Sequence, residues 1–457
     1  MKLRHLLLAV ATVAVVGGGG FLAYSWKSAI DPINPPDPTS FDKALVQKGA
    51  ALAAVGNCVA CHTNPGGRSF AGSFPMPTPF GTIYSSNITP DAETGIGRWS
   101  ETAFSRAMRS GVSRDGSQLY PAFPFDHFTY VSDEDNKALY AFLMTRPAVK
   151  QTPPANDLPF PLNFRPVLAG WKMLFFREGA YENDASQSAE WNRGAYLVNG
   201  LGHCGACHTP RNQFGAEKSS EYLAGGEAEG WSAYALNAST AAPLPWTSDS
   251  LFAYLRQGWH PDHGVANGPM GEVTGNLGLL PDSDIRAIAT YLASLMSEPA
   301  PERAKRADEI RQQVSQTAKA PAPAMASTPA ERGAAIYQAA CATCHNGSRP
   351  LPFGGIDLHL ATAISAPDPQ NAINAVLFGL PAASGRPSAI MPGFAATIDD
   401  DELNDLLTYL RDHFAGKPAW TDVKTRAADT RSGKYHVSVR PSDGIERGPD
   451  NIGAQDK

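Results

Sequence analysis

The chain of 457 residues contains six cysteines, and all six fall into three copies of one pattern. These are Cys58-Val-Ala-Cys61-His62, Cys204-Gly-Ala-Cys207-His208 and Cys341-Ala-Thr-Cys344-His345. A bare Cys-x-x-Cys serves as a zinc half-site, a redox dithiol or a disulfide, so the histidine carries the discrimination. With 11 histidines in the chain, chance would place one after all three pairs with a probability of about 10⁻⁵, whereas covalent attachment of a c-type haem requires it. Two thiols separated by two residues in a helical turn reach the two vinyl groups of one haem, and the adjacent imidazole then points a nitrogen at the iron. Three haem c groups are therefore the expected cofactors, with His62, His208 and His345 as iron ligands. A tetrahedral zinc site would need two further ligands per metal, and each pair lies far along the chain from the next, with no second Cys-x-x-Cys nearby.

The opposite face of each iron needs a second ligand. A helix-ending glycine provides a ruler: the twelfth residue beyond Gly258 is Met270 in Gly-Pro-Met-Gly, and the twelfth beyond Gly379 is Met391 in Ile-Met-Pro-Gly, each expected in a Gly/Pro loop. A lone methionine is usually core filling, but two at one register beside haem attachment are expected thioether ligands. The first copy departs from this, since the same step from Gly111 reaches Phe123. Three residues before that glycine the first copy has Met108, where the others have Leu255 and Val376, so Met108 is the expected ligand. His127 is its rival and Met76 a weaker candidate. A five-coordinate first haem, with Met108 and His127 only packing and capping, is the remaining reading.

Three attachment sites in one chain suggest three copies of one domain. Each motif follows a short helix with a glycine, in Gly49-Ala-Ala-Leu, Gly194-Ala-Tyr-Leu and Gly333-Ala-Ala-Ile. Each copy closes on an acidic N-cap and an amphipathic helix with an aromatic at a matching position: Ser132 to Thr145 with Tyr140, Pro281 to Leu295 with Tyr291, and Asp399 to Phe414 with Tyr409. Tyr84-x-x-Asn87 matches Tyr234-x-x-Asn237, and Trp99 and Trp246 precede the helix-ending Gly111 and Gly258 by one and the same spacing. The tryptophans are read as packing at helix entry rather than as an electron path. His260 and His263 are read as surface histidines, and Asn87-Ile-Thr89 and Asn237-Ala-Ser239 as glycosylation-like triplets without that role. The expected class is all-α, with haem domains over 41–146, 186–297 and 331–415. A Pro- and aromatic-rich connection occupies 146–185, a linker 298–330 ends in a semi-rigid Ala/Pro spacer, and a polar tail covers 416–457.

Lys2 and Arg4 precede an uncharged run from Leu6 to Tyr24, followed by a Pro-rich exit. Residues 1–30 therefore form an export signal or a membrane anchor, with retention favoured by length and by the absence of a clean cleavage site; Gly17 to Gly20 argue for cleavage. Either form places the haem domains on the periplasmic face of a bacterial inner membrane. An apolar fraction of 43% excludes a disordered chain, and a net charge of −6 without any Lys/Arg block excludes nucleic acid as a partner.

The three motifs, the export segment, and stretches such as Phe80-Gly-Thr-Ile-Tyr-Ser-Ser-Asn-Ile-Thr-Pro-Asp91 and Gly95-Ile-Gly together resemble the membrane-bound triheme cytochrome c subunits of bacterial periplasmic dehydrogenases. The resemblance covers roughly residues 40 to 415 and implies three tandem cytochrome c domains that take electrons from a catalytic dehydrogenase subunit and deliver them to ubiquinone. It implies that Arg211, in His208-Thr-Pro-Arg211, pairs with a haem propionate; a solvated loop arginine is the plainer reading. The alcohol dehydrogenase type usually has methionine at position 123. Phe123 with Asp126-His127-Phe128 looks more like cytochromes paired with molybdenum hydroxylases that oxidise aldehydes or N-heterocycles, with quinoprotein or flavoprotein alcohol and sugar dehydrogenases as the alternative. The chain itself has no nucleotide fingerprint and no cysteine spare for an iron–sulfur cluster, so it is expected to transfer electrons rather than catalyse. A haem peroxidase using a vacant iron position and a structural zinc module are the readings from other classes.

Overall fold

The computed structural model describes residues 2–296, 301–316, 328–346, 349–382 and 387–434. They divide into two compact bodies, one made of residues 2–183 and 199–203, the other of 184–198 and the described residues from 204 to 434. Helices dominate both, joined by long loops and three two-stranded antiparallel ribbons, in keeping with the all-α class and with cytochrome c domains.

In the first body α1 (Lys2–Ser25) is followed by α2 (Lys43–Val55), α3 (Glu101–Ser110), α4 (Asp133–Met144) and α5 (Val167–Phe175). Asp42, Ser100 and Ser132 cap α2, α3 and α4, each side chain accepting from a backbone N–H of the first turn. The ribbon β1 (Pro75–Thr78) and β2 (Gly81–Tyr84) lies between α2 and α3 in the chain. The connection 146–185 packs on this body, since α5 buries Leu168 and Ala169, and Asp157 pairs with Thr82.

The second body holds the other two motifs. It contains α6 (Ala189–Asn199), whose last residue belongs to the first body, then α7 (Ser248–Gln257), α8 (Pro269–Leu277), α9 (Asp282–Met296) and α10 (Pro301–Gln316). After these come α11 (Pro329–Ala340), α12 (Gln370–Phe378), α13 (Asp400–Ala415) and α14 (Val423–Arg431). Its ribbons are β3 (Gly226–Ala228) with β4 (Trp231–Ala233), and β5 (Trp259–His260) with β6 (Gly264–Val265).

One crossing recurs three times. A Cβ on Gly49 would strike the carbonyl oxygen of Ala138, one on Gly194 that of Ala287, and one on Gly333 that of Asp405. Glycine is thus required where α2 meets α4, α6 meets α9 and α11 meets α13. The residue before each glycine is basic and reaches across: Lys48 to Asp135 at 2.8 Å, Arg193 to Asp284 at 2.9 Å, Arg332 to Asp405 at 2.6 Å. The aromatics at the crossing are Phe142, Tyr291 and Tyr409, whose Cβ atoms face the three glycines. Tyr140 is therefore not the counterpart of Tyr291 and Tyr409. It stands two residues earlier, on another face, and its hydroxyl donates to Trp99 O at 2.8 Å.

Two segments read as connectors carry more structure than their composition suggests. Within the 298–330 linker α10 buries Ala307 and Ile310 against Leu244 and Leu360, because its apolar residues recur at helical spacing amid charge; the Ala/Pro spacer at 320–326 lies outside the described residues. Beyond Gly416, Trp420, Val423 and Ala427 join the core around α13, and Trp420 Nε1 donates to Pro367 O at 3.0 Å. The tail from 435 onward lies outside the described residues.

Candidate functional site

Each attachment motif is one helical turn following a longer helix. The N–H of His62 donates to Cys58 O at 3.0 Å, His208 to Cys204 O at 2.9 Å, and His345 to Cys341 O at 3.1 Å. That bond sets the imidazole one turn beyond the first cysteine, so both thiols and the ring leave the same stretch of surface. Asn57 with φ 48° and His203 with φ 36° make the sharp entries to the first two turns.

The three imidazoles share a further feature. His62 Nδ1 lies 2.7 Å from Ser86 O, His208 Nδ1 2.6 Å from Tyr234 O, and His345 Nδ1 2.8 Å from Ile356 O. A carbonyl only accepts, so Nδ1 carries the hydrogen and Nε2 the lone pair, the tautomer a metal ligand needs. Burial pushes all three pKa values below the usual histidine range against the pull of these carbonyls, which keeps the rings neutral. Sequence reasoning missed Ser86, Tyr234 and Ile356, because a backbone acceptor has no side-chain signature.

None of the six cysteines forms a disulfide. Burial pushes the Cys58 and Cys204 thiols up to about 12, and those of Cys207 and Cys341 up to about 11, so they remain protonated. Among the described residues no Cys-x-x-Cys pair is gathered with further histidine or carboxylate donors at ligand distance. Two thiols and one oriented imidazole on each turn, with no further donors beside them, fit covalent haem better than a zinc thiolate centre.

The glycine ruler has a structural basis. Gly111, Gly258 and Gly379 each end a helix with positive φ, at 60°, 83° and 71°. In the first two copies the residue eight positions on returns its N–H to that glycine, Leu119 to Gly111 O and Ala266 to Gly258 O, both at 2.8 Å. Phe123 and Met270 each follow four positions later, so they occupy one register. Met270 is half-buried in the first turn of α8 rather than in a loop: Pro269 starts that helix, and Gly268, with φ 54°, passes close over the Trp231 ring. Met391 is half-buried and pairs its backbone with Leu380, at 2.9 and 3.1 Å.

In the first copy Met108 is buried on α3. Phe123 packs edge-on against Phe128 at 5.2 Å. His127 is buried in a short turn, with Nδ1 2.7 Å from Asn199 O, the same backbone anchoring as at His62, His208 and His345. Met76 is half-buried in β1 opposite Ile83. Arg211 donates to Gly215 O at 2.6 Å and to Ala206 O, between the two cysteines, at 2.7 Å, so it braces the attachment turn itself.

His263 is buried rather than at the surface, stacked on Trp246 at 3.6 Å with 13° between the rings. Burial and the nearby His260 push its pKa down to about 3. Asn87 and Asn237 each accept from the N–H two residues on, at 2.9 Å, so the glycosylation-like triplets build turns.

Residues 46–147 match the model of the cytochrome c family, and residues 328–410 that of subunit III of the cbb3-type cytochrome c oxidase. The chain is 47% identical over 414 residues to the B subunit of nicotinate dehydrogenase from Pseudomonas putida, an alignment covering 90% of this chain and 34% of that relative. This chain thus spans about a third of that protein's length. It is 41% identical over 385 residues to the gluconate 2-dehydrogenase cytochrome c subunit of Pantoea cypripedii, covering 80% and 85% of the two chains. With the fructose dehydrogenase cytochrome subunit of Gluconobacter japonicus it shares 36% over 400 residues, covering 84% and 82%.

Proposed function

The chain belongs to the family of cytochrome c subunits of dehydrogenase complexes, electron-transfer rather than catalytic components, and we propose that it carries three haems between a periplasmic dehydrogenase and ubiquinone. The observation that carries the count is the repetition of one attachment turn, a Cys-x-x-Cys followed by a histidine whose Nδ1 meets a backbone carbonyl, at His62, His208 and His345.

Cys58 and Cys61, Cys204 and Cys207, and Cys341 and Cys344 would hold the three groups by thioether bonds. A bound haem c supplies a one-electron couple. The carbonyls of Ser86, Tyr234 and Ile356 fix each ring and raise the basicity of Nε2. Met270 and Met391 offer thioethers for the open positions of the second and third groups, and Met108, with His127 as rival, serves the first.

The relative named for nicotinate, an N-heterocycle, and the loop containing Phe123 both support a partner of the molybdenum hydroxylase class. Relatives named for gluconate and fructose support a sugar dehydrogenase as the second reading. The apolar α1 supports a location at the periplasmic face of the inner membrane. Detergent-solubilised membranes test this reading: the copurifying dehydrogenase, given its substrate, reduces the haem bands, and added ubiquinone reoxidises them. Bands that stay oxidised with every copurified dehydrogenase, together with a resting high-spin spectrum that responds to peroxide, would overturn it in favour of a peroxidase.

A further inference from the structure

Helix α5 carries apolar residues on both its buried and its exposed faces. Its one charged residue, Lys172, is buried, while Met173 and Leu174 beside it are 53% and 69% exposed. Phe160 and Phe164, in the loop leading to it, are 81% and 47% exposed. A helix facing water places its charges outward and its apolar residues inward, so this surface is not built for water.

The inward turn of Lys172 is specified by three acceptors. Its ammonium donates to Ser110 O, Gly111 O and Gln118 Oε1, each at 2.7 Å. Gln118 in turn donates from Nε2 to Ser25 O at 3.0 Å, at the last residue of α1. The chain leaving α1 is then built into the same body: Arg106 donates to Ser28 O at 2.7 Å, and Ile30 N–H to Arg114 O at 2.8 Å. Helix α5 also packs against α1, since a Cβ on Gly170 would stand 3.6 Å from the Phe21 ring. The apolar face is therefore tied to the end of the membrane-length helix, where Tyr24 and Trp26 are exposed as well. Lys27 over the Tyr24 ring at 5.2 Å, Arg165 over the Tyr120 ring at 4.9 Å and exposed Arg177 add cations around this region. Aromatic rings with flanking Lys and Arg are the composition that settles at a lipid interface.

We propose that α5 and the loop 160–164 lie in the interfacial layer of the bilayer beside the exit of α1, forming a second membrane contact that fixes the first haem domain against the lipid surface. The proposal rests on the reading of α1 as a retained anchor. A helix of nine residues is about 13 Å long, enough to lie along the headgroup layer but far too short to span. The occupant is lipid because the surface continues from a helix whose own length and composition suit hydrocarbon.

The test uses the full-length holoprotein in vesicles of phosphatidylethanolamine and phosphatidylglycerol, doped with a phospholipid bearing a carbene-generating diazirine high on its acyl chain. After irradiation, adducts are mapped by peptide mass. The expected result is labelling in α1, at 160–164 and at 173–174, with loss of the last two in Phe160→Glu with Leu174→Glu while haem spectra and α1 labelling stay unchanged. Labelling confined to α1 would overturn the interfacial surface and leave the anchor standing. Labelling in neither would remove the anchor and the proposal together. In membranes containing the dehydrogenase complex, loss of the 160–164 and 173–174 adducts would assign this face to the catalytic subunit and overturn the proposal.

Discussion

A histidine whose Nδ1–H is tied to a carbonyl can present only Nε2 to a metal, so Ser86, Tyr234 and Ile356 decide the chemistry of their imidazoles without contributing a side chain. The ligands opposite them are the testable half of each site. Met270→Ala and Met391→Ala should each open one iron, with a new high-spin band and a lower potential for that haem alone. Unchanged spectra in both would remove the glycine register as a guide. In the first domain Met108→Leu keeps the packing volume and removes only the thioether, so a high-spin band there, with none in His127→Ala, assigns Met108; the reverse pattern assigns His127. A further residue titrates visibly. His263 takes no proton in the folded state until about pH 3, whereas the unfolded chain takes one near its ordinary value of 6.5. Unfolded protein thus binds more protons between those values, and stability falls as pH drops through 6.5. His263→Phe keeps the stack on Trp246 and should flatten the decline in melting temperature between pH 7 and pH 4; an unchanged slope would mean His263 is not its source.

At the scale of elements, the three glycine crossings hold each attachment turn against its closing helix. Gly194→Val should cost at least 1 to 3 kcal/mol or so, because the added carbons meet the Ala287 carbonyl and not a movable side chain. It should lower the melting temperature and the haem yield of the second domain, whereas the same change at solvent-facing Gly66, a Gly-to-Val control with positive φ, costs only backbone strain. The helices were legible because their caps and apolar spacing act locally: Ser132, Pro281 and Asp399 mark starts within a residue of those observed. The register between copies was less so. Tyr140 and Phe142 are two residues apart and about 200° apart around a helix, and only the partner backbone tells which of them meets Gly49. Met270 read as a loop residue because Gly268 and Pro269 break structure in most contexts, yet proline at the first position starts a helix. Helix α10 and the segment after Gly416 were hidden for a different reason: a few apolar residues amid charge gain meaning only from the surface that covers them.

For the whole molecule, the second body shows how two attachment sites share one frame. The Asn371 side chain accepts from Ser232 N–H at 2.9 Å and donates to Ser232 O at 2.8 Å, while Asn374 donates to Gly230 O at 2.8 Å. Tyr234, whose carbonyl holds His208, follows Ser232 by two residues along the same segment. Helix α10 adds a second tie, since Arg303 donates to Ala242 O and Arg306 to Ala415 O. Asn371→Ala with Asn374→Ala strands these groups at roughly 1 to 3 kcal/mol each, and calorimetry should then resolve the unfolding of the second and third haem domains. A single unshifted transition would contradict that frame. The number of haems underlies everything above, since the ligand assignments, the shared frame and the role in electron transfer all presuppose an occupied turn at each motif. Intact mass of the exported protein under denaturing conditions counts covalent haems directly. The account predicts the polypeptide plus three haems in the main species; a main species with two or fewer, in protein made with a working haem-attachment system, would contradict it.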